Sequence, residues 1–230
     1  MRKQYGLVLI LAIFLGACAG TPQWDVRLDP QSIAAGSGKI GVFMTAVPQP
    51  NTFFPGANCL LCIGVAEAAH GKLSTHTKTL AVDDLTRLKA DLVEAINKAG
   101  GTAIAIDEPI AVNKLKKAGT KGPNIALKDF GPLAAQHGIQ KALVIEVAFL
   151  GFSRPYASYI PTGVPSAFIE GKSYLVNLSN NTYESYTDLK SEKVAEGPWD
   201  EPPQYPGLSN AYFSVLEGTR DRVLRPITKP

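Results

Sequence analysis

The stretch Lys141–Phe152 constrains the fold more than any other part of this chain. It reads Lys-Ala-Leu-Val-Ile-Glu-Val-Ala-Phe-Leu-Gly-Phe, with Glu146 alone interrupting an apolar centre. A strand with one wet face alternates apolar and polar residues, whereas a near-continuous apolar strand is covered on both faces. The rest of the chain must therefore supply a sheet around this strand and a packing layer on each side of it.

Two segments upstream supply the first pieces. Lys39–Val47 is short, apolar and rich in β-formers, and Pro48 and Pro50 close it. Asp83–Ala99 is the clearest helix, because Leu85, Leu88, Leu92 and Ile96 recur at three- and four-residue steps and make one apolar stripe. Asp83 or Asp84 is placed to cap it, and Gly100-Gly101 stops it. Thr102–Ile106 then reads as a strand, so the layout is a βαβ unit with a parallel pairing to the first strand. Leu127–His137 predicts a further helix with Phe130, Leu133 and Ala134 on one face, Pro132 in its first turn and Gly138 at its end.

Downstream of the central strand, Ala167–Leu178 and Tyr183–Val194 read as two long strands. Ser179-Asn180-Asn181-Thr182 joins them as a turn, since Asn tolerates positive φ. After the Pro-rich loop Pro198–Pro206, Ser209 is placed to cap a last helix whose Tyr212, Val215, Leu216, Thr219 and Val223 share a face. The expected class is α/β, bordering on α+β. It is a small sandwich of a mixed sheet with helices, containing a βαβ unit and a long C-terminal β-hairpin.

Residues 48–79 do not fit this economy. They are too long for an ordinary connection, and long connections tend to carry function. They are also unusually apolar for a loop, with Phe53-Phe54 and Leu60-Leu61-Cys62-Ile63, and Gly64–Ala69 suits a brief helix. Such an insert either packs on the core or offers a surface to a partner. The candidate partner surface is Phe53, Phe54, Leu60 and Leu61, together with Tyr156 and Tyr159 of the Pro-rich stretch 153–165. Lys114, Lys116, Lys117 and Lys121 lie in a Gly-containing basic loop, which reads as a solvated patch.

The first residues speak about location. Arg2 and Lys3 precede an uncharged run, Gly6–Leu15, which is far short of the ~20 residues a membrane-spanning helix needs. Small residues Gly16 and Ala17 follow, then Cys18, in the layout of a secretory signal peptide. Leu15-Gly16-Ala17-Cys18 resembles the bacterial lipobox, with Gly in a place more often held by Ala or Ser. That resemblance implies cleavage after Ala17, a diacylglycerol thioether on Cys18 and further acylation of the new amino group. Two or three acyl chains hold firmly where one holds marginally. Residue 19 is Ala rather than Asp, which in a cell with two membranes resembles sorting to the outer membrane. The expected organisation is a signal peptide over 1–17, a lipidated tether over 18–38 with Trp24 as its candidate anchor point, and a periplasmic domain over 39–230. The membrane is then a partner through the lipid.

The charge balance excludes some partners. The chain carries 23 Lys+Arg against 20 Asp+Glu, and without Arg2 and Lys3 the balance is 21 to 20, a net charge of +1. No strong field remains to recruit nucleic acid.

Cys59 and Cys62, in Asn58-Cys59-Leu60-Leu61-Cys62, are the cysteines left for chemistry. In an oxidising compartment three readings stay open: a short disulfide, two reduced thiols, or a redox or metal site. A thioredoxin-like redox pair wants a strand before it and a helix after it, and no strand is evident upstream of Pro55-Gly56-Ala57-Asn58. A structural zinc site needs four ligands, and His70, His76 and His137 are unpaired in sequence. The expectation is no metal and no cofactor.

Catalytic constellations are equally thin. The chain has no Gly-x-Ser-x-Gly elbow and no phosphate loop. Ala35-Gly36-Ser37-Gly38 precedes a strand instead of joining strand to helix, and Glu67 and His70 read as solvated neighbours on a short helix. No catalytic residue is nominated, and the chain is expected not to be an enzyme.

The order strand, helix, strand, helix, strand, long hairpin, helix behind a lipidated Cys resembles a group of bacterial envelope lipoproteins. The curli-secretion channel lipoprotein and the peptidoglycan-synthase activator lipoproteins belong to it. The matching pieces are Lys39–Phe43, Leu85–Gly101, Ala142–Val147 and the hairpin around Asn180-Asn181. The likeness covers roughly residues 39–226 and rests on layout, while the insert at 48–79 departs from it. It implies a non-catalytic role in envelope assembly, secretion or scaffolding through contacts with other envelope proteins, and it allows a homo-oligomer. The alternative is a periplasmic redox or small-ligand-binding module centred on Cys59 and Cys62.

Overall fold

The structure, a computed structural model, describes residues 23–229. The expected signal peptide over 1–17 and Cys18 lie outside the described residues. The apolar run becomes the longest strand, β4 (Lys141–Ser153), which pairs along both edges. On one edge its first half lies parallel to β1 (Lys39–Met44), and its last three residues lie parallel to β2 (Asn51–Phe53). On the other edge it runs antiparallel to β7 (Ser166–Asn177). β3 (Thr102–Ala105) adds to β1 in parallel, which completes the expected βαβ unit with α3 (Asp83–Lys98). β8 (Thr182–Asp188) and β9 (Ser191–Val194) both pair antiparallel with β7, end to end. The result is a mixed seven-stranded sheet.

Both faces of that sheet are covered, as the lack of alternation requires. Ile40, Val42 and Met44 of β1 and Leu143, Ile145 and Val147 of β4 face one way. They meet the leucine stripe of α3 and the face Leu208, Tyr212, Val215 and Leu216 of α5 (Pro206–Thr228). Phe43, Ala142 and Val144 face the other way, with Tyr174 and Val176 of β7. There they meet Val112, Ala126, Phe130 and Leu133. Thus one face has two long helices, and the other has mostly irregular chain with one short helix, α4 (Pro132–His137).

That second layer corrects the expected helix over Leu127–His137, which is helical only from Pro132. Proline has no N–H to donate, and its ring collides with the carbonyl four residues back, which favours a helix that starts at Pro132 over one that runs through it. Residues 126–130 are instead pinned by the hairpin turn. Asn181 donates to the carbonyls of Ala126 and Lys128 at 3.1 and 2.9 Å and accepts from the Phe130 N–H at 3.0 Å.

Other expectations shift by a few residues. Neither Asp83 nor Asp84 caps α3. Val82 is at the cap position and both acids sit in the first turn, where their charge suits the helix dipole. Ser209 does not cap α5, which starts earlier at Pro206 with proline in its favoured first position. The second hairpin strand breaks where Leu189 turns into the core, so it becomes β8 and β9. Trp24 is 74% exposed and anchors nothing. The body is met instead by Val26, which exchanges backbone hydrogen bonds with Tyr186, and by buried Ile33.

The insert is the largest change. It is no loop, because it contains β2 followed by α1 (Leu60–Ala69) and α2 (Gly71–Thr77). Thr52 of β2 and Thr77 of α2 are both buried, and their hydroxyls bond at 2.8 Å.

Candidate functional site

The two cysteines sit at the start of α1. Cys59 is the cap residue, with extended backbone, and its Sγ accepts from the N–H of Cys62 at 2.9 Å. The pair is disulfide-bonded. Because β2 precedes it, the pair follows a strand and opens a helix, which overturns the reading that no strand lies upstream. The signal missed is small: Asn51-Thr52-Phe53 is three residues long, and its partner is the far end of β4.

The two sulfurs differ in setting. Cys59 is exposed, while Cys62 is buried with Ala57, Ala66 and Tyr156, flanked by Phe54. Tyr156 opens the small hairpin of β5 (Tyr156–Ala157) and β6 (Ile160–Pro161), which folds against the insert. The fit there is backbone on backbone. Gly56 has φ +88, and a Cβ on it would stand 1.9 Å from the Tyr156 carbonyl oxygen. At the hairpin tip Tyr159 reaches back, and its hydroxyl lies 3.7 Å from Cys59 Sγ.

Behind this hairpin lies a ring of aromatic groups. His70 Nε2 and the Tyr156 hydroxyl are 2.8 Å apart. The imidazole stacks on Phe54 and meets Trp199 edge-on, and the Arg154 guanidinium lies 4.4 Å over the Trp199 ring. Burial, then the positive charge of Arg154, pushes His70 below its ordinary pKa, with Asp200 and Glu67 acting the other way. His70 is thus a half-buried, bonded group, not the solvated neighbour of Glu67 that the sequence suggested. Glu67 instead accepts from the Ser74 hydroxyl at 3.1 Å. His76 is also lowered, by burial, and bonds Ser209 Oγ at 2.8 Å.

The six nominated surface residues divide. Leu60, Leu61 and Tyr159 point outward, at 91%, 67% and 48% exposure. Phe53 and Phe54 are half-buried, Phe53 between the edges of Phe149 and Phe168. Tyr156 is buried and anchors the hairpin from within. Four exposed residues were missed: Ile63 and Val65 on α1, Ile160 on β6, and Val164 just beyond. Ile63 lay inside the apolar run already singled out. Ile160 and Val164 gave no signal, since only the fold brings them beside the insert.

At the other end of β4 a groove of about 700 Å³ runs between residues 25–33, the sheet and the end of α5. Leu143, Leu175, Val223 and Ile227 line its floor, with Arg27 and Arg222 also lining it. Among the described residues, no three His, Cys, Asp or Glu side chains converge where a metal could sit.

No family model matches the sequence, and none of the curated proteins does. Solved structures do match in part. A Xanthomonas campestris protein of the family described as DUF330 is 13% identical, with 89% of this chain and 93% of that one covered, at a TM-score of 0.40. A lipoprotein from Neisseria meningitidis is 14% identical, with 78% and 98% covered, at 0.33. A hypothetical protein from Chlamydia trachomatis is 11% identical, with 84% and 99% covered, at 0.33. At these scores the likenesses carry nothing about what this chain does, so the functional reading must come from its own residues.

Proposed function

We propose that this chain is a lipid-anchored envelope protein that works by docking another protein on the corner formed by α1 and the β5–β6 hairpin. One observation carries the reading. Of twelve large hydrophobic side chains left exposed among the described residues, seven belong to this corner: Leu60, Leu61, Ile63, Val65, Tyr159, Ile160 and Val164. Scattered exposed apolar residues are ordinary, but this many on two segments that fold against each other favour an interaction surface. The lipobox-like Leu15–Cys18 supports the anchor, and Ala19 after it favours the outer membrane of a two-membrane cell, with the domain facing the periplasm. A role in assembling or scaffolding an envelope machine follows from the layout resemblance.

The test uses the full chain in its native membrane. Leu60→Asp with Leu61→Asp removes the apolar character of the corner while leaving Cys59 and Cys62 in place. Both side chains are outside the core, so the melting temperature is expected to stay within a few degrees. Cross-linked partners recovered with the wild type should be lost from the variant. The same partners at the same yield from both would overturn the docking reading. Intact mass of the native protein tests the anchor, which predicts cleavage before Cys18 and added acyl mass.

A further inference from the structure

We infer that the Cys59–Cys62 pair is a thiol–disulfide exchange site, with Cys59 as the sulfur that meets a cysteine-bearing protein client. The pair combines four features that a purely structural clip does not need. It caps a ten-residue helix, where unpaired N–H groups favour negative charge. Its first cysteine is an exposed residue and its second a buried one, so the first is the more open to attack and the second is sheltered. Two polar groups at the pair, the Cys62 N–H at 2.9 Å and the Tyr159 hydroxyl at 3.7 Å, converge on Cys59 Sγ. The exposed sulfur is also flanked by the outward side chains of Leu60, Leu61 and Tyr159, which suit an apolar stretch of polypeptide.

The exchange balances between two partners. A client thiolate attacks Cys59 Sγ, the Cys59–Cys62 bond breaks, and Cys62 leaves with the electron pair and takes up a proton. The client's second thiolate then attacks the client sulfur of the mixed disulfide and expels Cys59 as a thiolate, which the Cys62 N–H and the Tyr159 hydroxyl hold. The client dithiol is oxidised to a disulfide by two electrons, and the pair is reduced by the same two. The stabilised Cys59 thiolate is a good leaving group, which favours this direction. Naming a protein as the client rests on the docking reading above, whereas the reactivity of the pair does not.

The experiment is built to separate the two. The lipidated full chain, in detergent, is reduced, freed of reductant and alkylated with iodoacetamide across pH, with each thiol followed by peptide mass. Cys59 is expected to react with a midpoint below the ordinary ~8.5 of a free thiol, and Cys62 at least tenfold more slowly until denaturant is added. Tyr159→Phe should move the Cys59 midpoint upward, which a merely structural tyrosine would not do. Cys62→Ser is then mixed with two oxidised peptides, one with leucine flanks and one with serine flanks. A mixed disulfide on Cys59, formed several-fold faster with the leucine peptide, supports both readings. Equal rates uphold the exchange chemistry and remove the apolar corner as its docking site. An ordinary Cys59 midpoint with both thiols equally reactive overturns the proposal, as does the absence of any mixed disulfide. The alkylation arm needs no cysteine substitution, so it decides the matter even if Cys62→Ser fails to fold.

Discussion

The sheet body and the disulfide corner use apolar residues in opposite ways. In the body, two clusters pack the two faces of the sheet, and Leu85, Leu88, Leu92 and Ile96 of α3 are wholly buried. In the corner, Ala57, Cys62, Ala66 and Tyr156 are the buried cluster, while seven larger side chains face outward. A buried Leu contributes roughly 1.5–3 kcal/mol relative to an exposed one, so Leu60 and Leu61 add little to folding. The corner is held by clips instead: the disulfide, the close approach of Gly56 to Tyr156, and the His70–Tyr156 bond. Packing stabilises the body; the corner keeps its apolar groups for something outside the chain.

Truncating the body should produce the largest effect. Leu92→Ala leaves a cavity between α3 and the sheet and is expected to lower stability by about 2–5 kcal/mol. The loss should show as one shifted transition by both circular dichroism and hydrogen exchange. If Leu92→Ala instead loosened only the corner, the two regions would not be separate. Next comes the buried ion pair on the sheet, Lys141 Nζ to Glu184 Oε2 at 2.6 Å, with the ammonium also donating to the Ser32 carbonyl at 2.8 Å. Glu184→Ala strands a buried ammonium, and a cost of about 3 kcal/mol is expected in urea unfolding. A cost below about 1 kcal/mol would show that the pair is effectively solvated.

Opening the disulfide ranks third and should act locally. The loop it closes is very short, so its restraint on the unfolded chain is worth about 2 kcal/mol at most. Reduction, or Cys59→Ser with Cys62→Ser, is expected to raise hydrogen exchange in α1 while that of α3 and β4 stays as it was. Global unfolding on reduction would contradict the division between body and corner.

The same division explains what could be read in advance. The body follows rules that act over a few residues: Leu spacing gives α3, the unbroken apolar run gives β4, and the turn Asn180-Asn181 gives the β7–β8 hairpin. The corner depends on contacts between distant segments. β2 is only three residues long and is a strand because the end of β4 outruns β1 and offers a free edge. Tyr156 and Tyr159 look alike in sequence, yet one is buried and one is exposed. The tight hairpin between them, with Ser158 at φ +57, sends them to different sides. The helix over Leu127–His137 failed for a local reason that was on view, since Pro132 marks where the helix starts. Of the candidate site, the cysteines and the apolar run were legible. The strand before the cysteines and the second half of the apolar patch were not.

The smallest expected effect concerns pH and applies to the corner alone. His70 is held below the ordinary 6.5, first by burial and then by Arg154, against the opposing pull of Asp200 and Glu67. In the folded corner the imidazole therefore resists the proton that it accepts freely once the corner opens. The sign follows by linkage: the stabilising contribution is complete above about pH 6.5 and declines as pH falls through that value toward the lower folded one. Hydrogen exchange of α1 should accelerate between pH 7 and 5, after correction for intrinsic rates, and Trp199 fluorescence should change with it because His70 meets that ring. His70→Gln should flatten both responses. His76→Gln is the necessary comparison, since His76 is lowered by burial too but contacts Ser209 and Tyr205 of the α5 region. If His76→Gln flattened the α1 response and His70→Gln did not, the pH sensitivity would belong to the junction with the body, and the corner would have no separate titration.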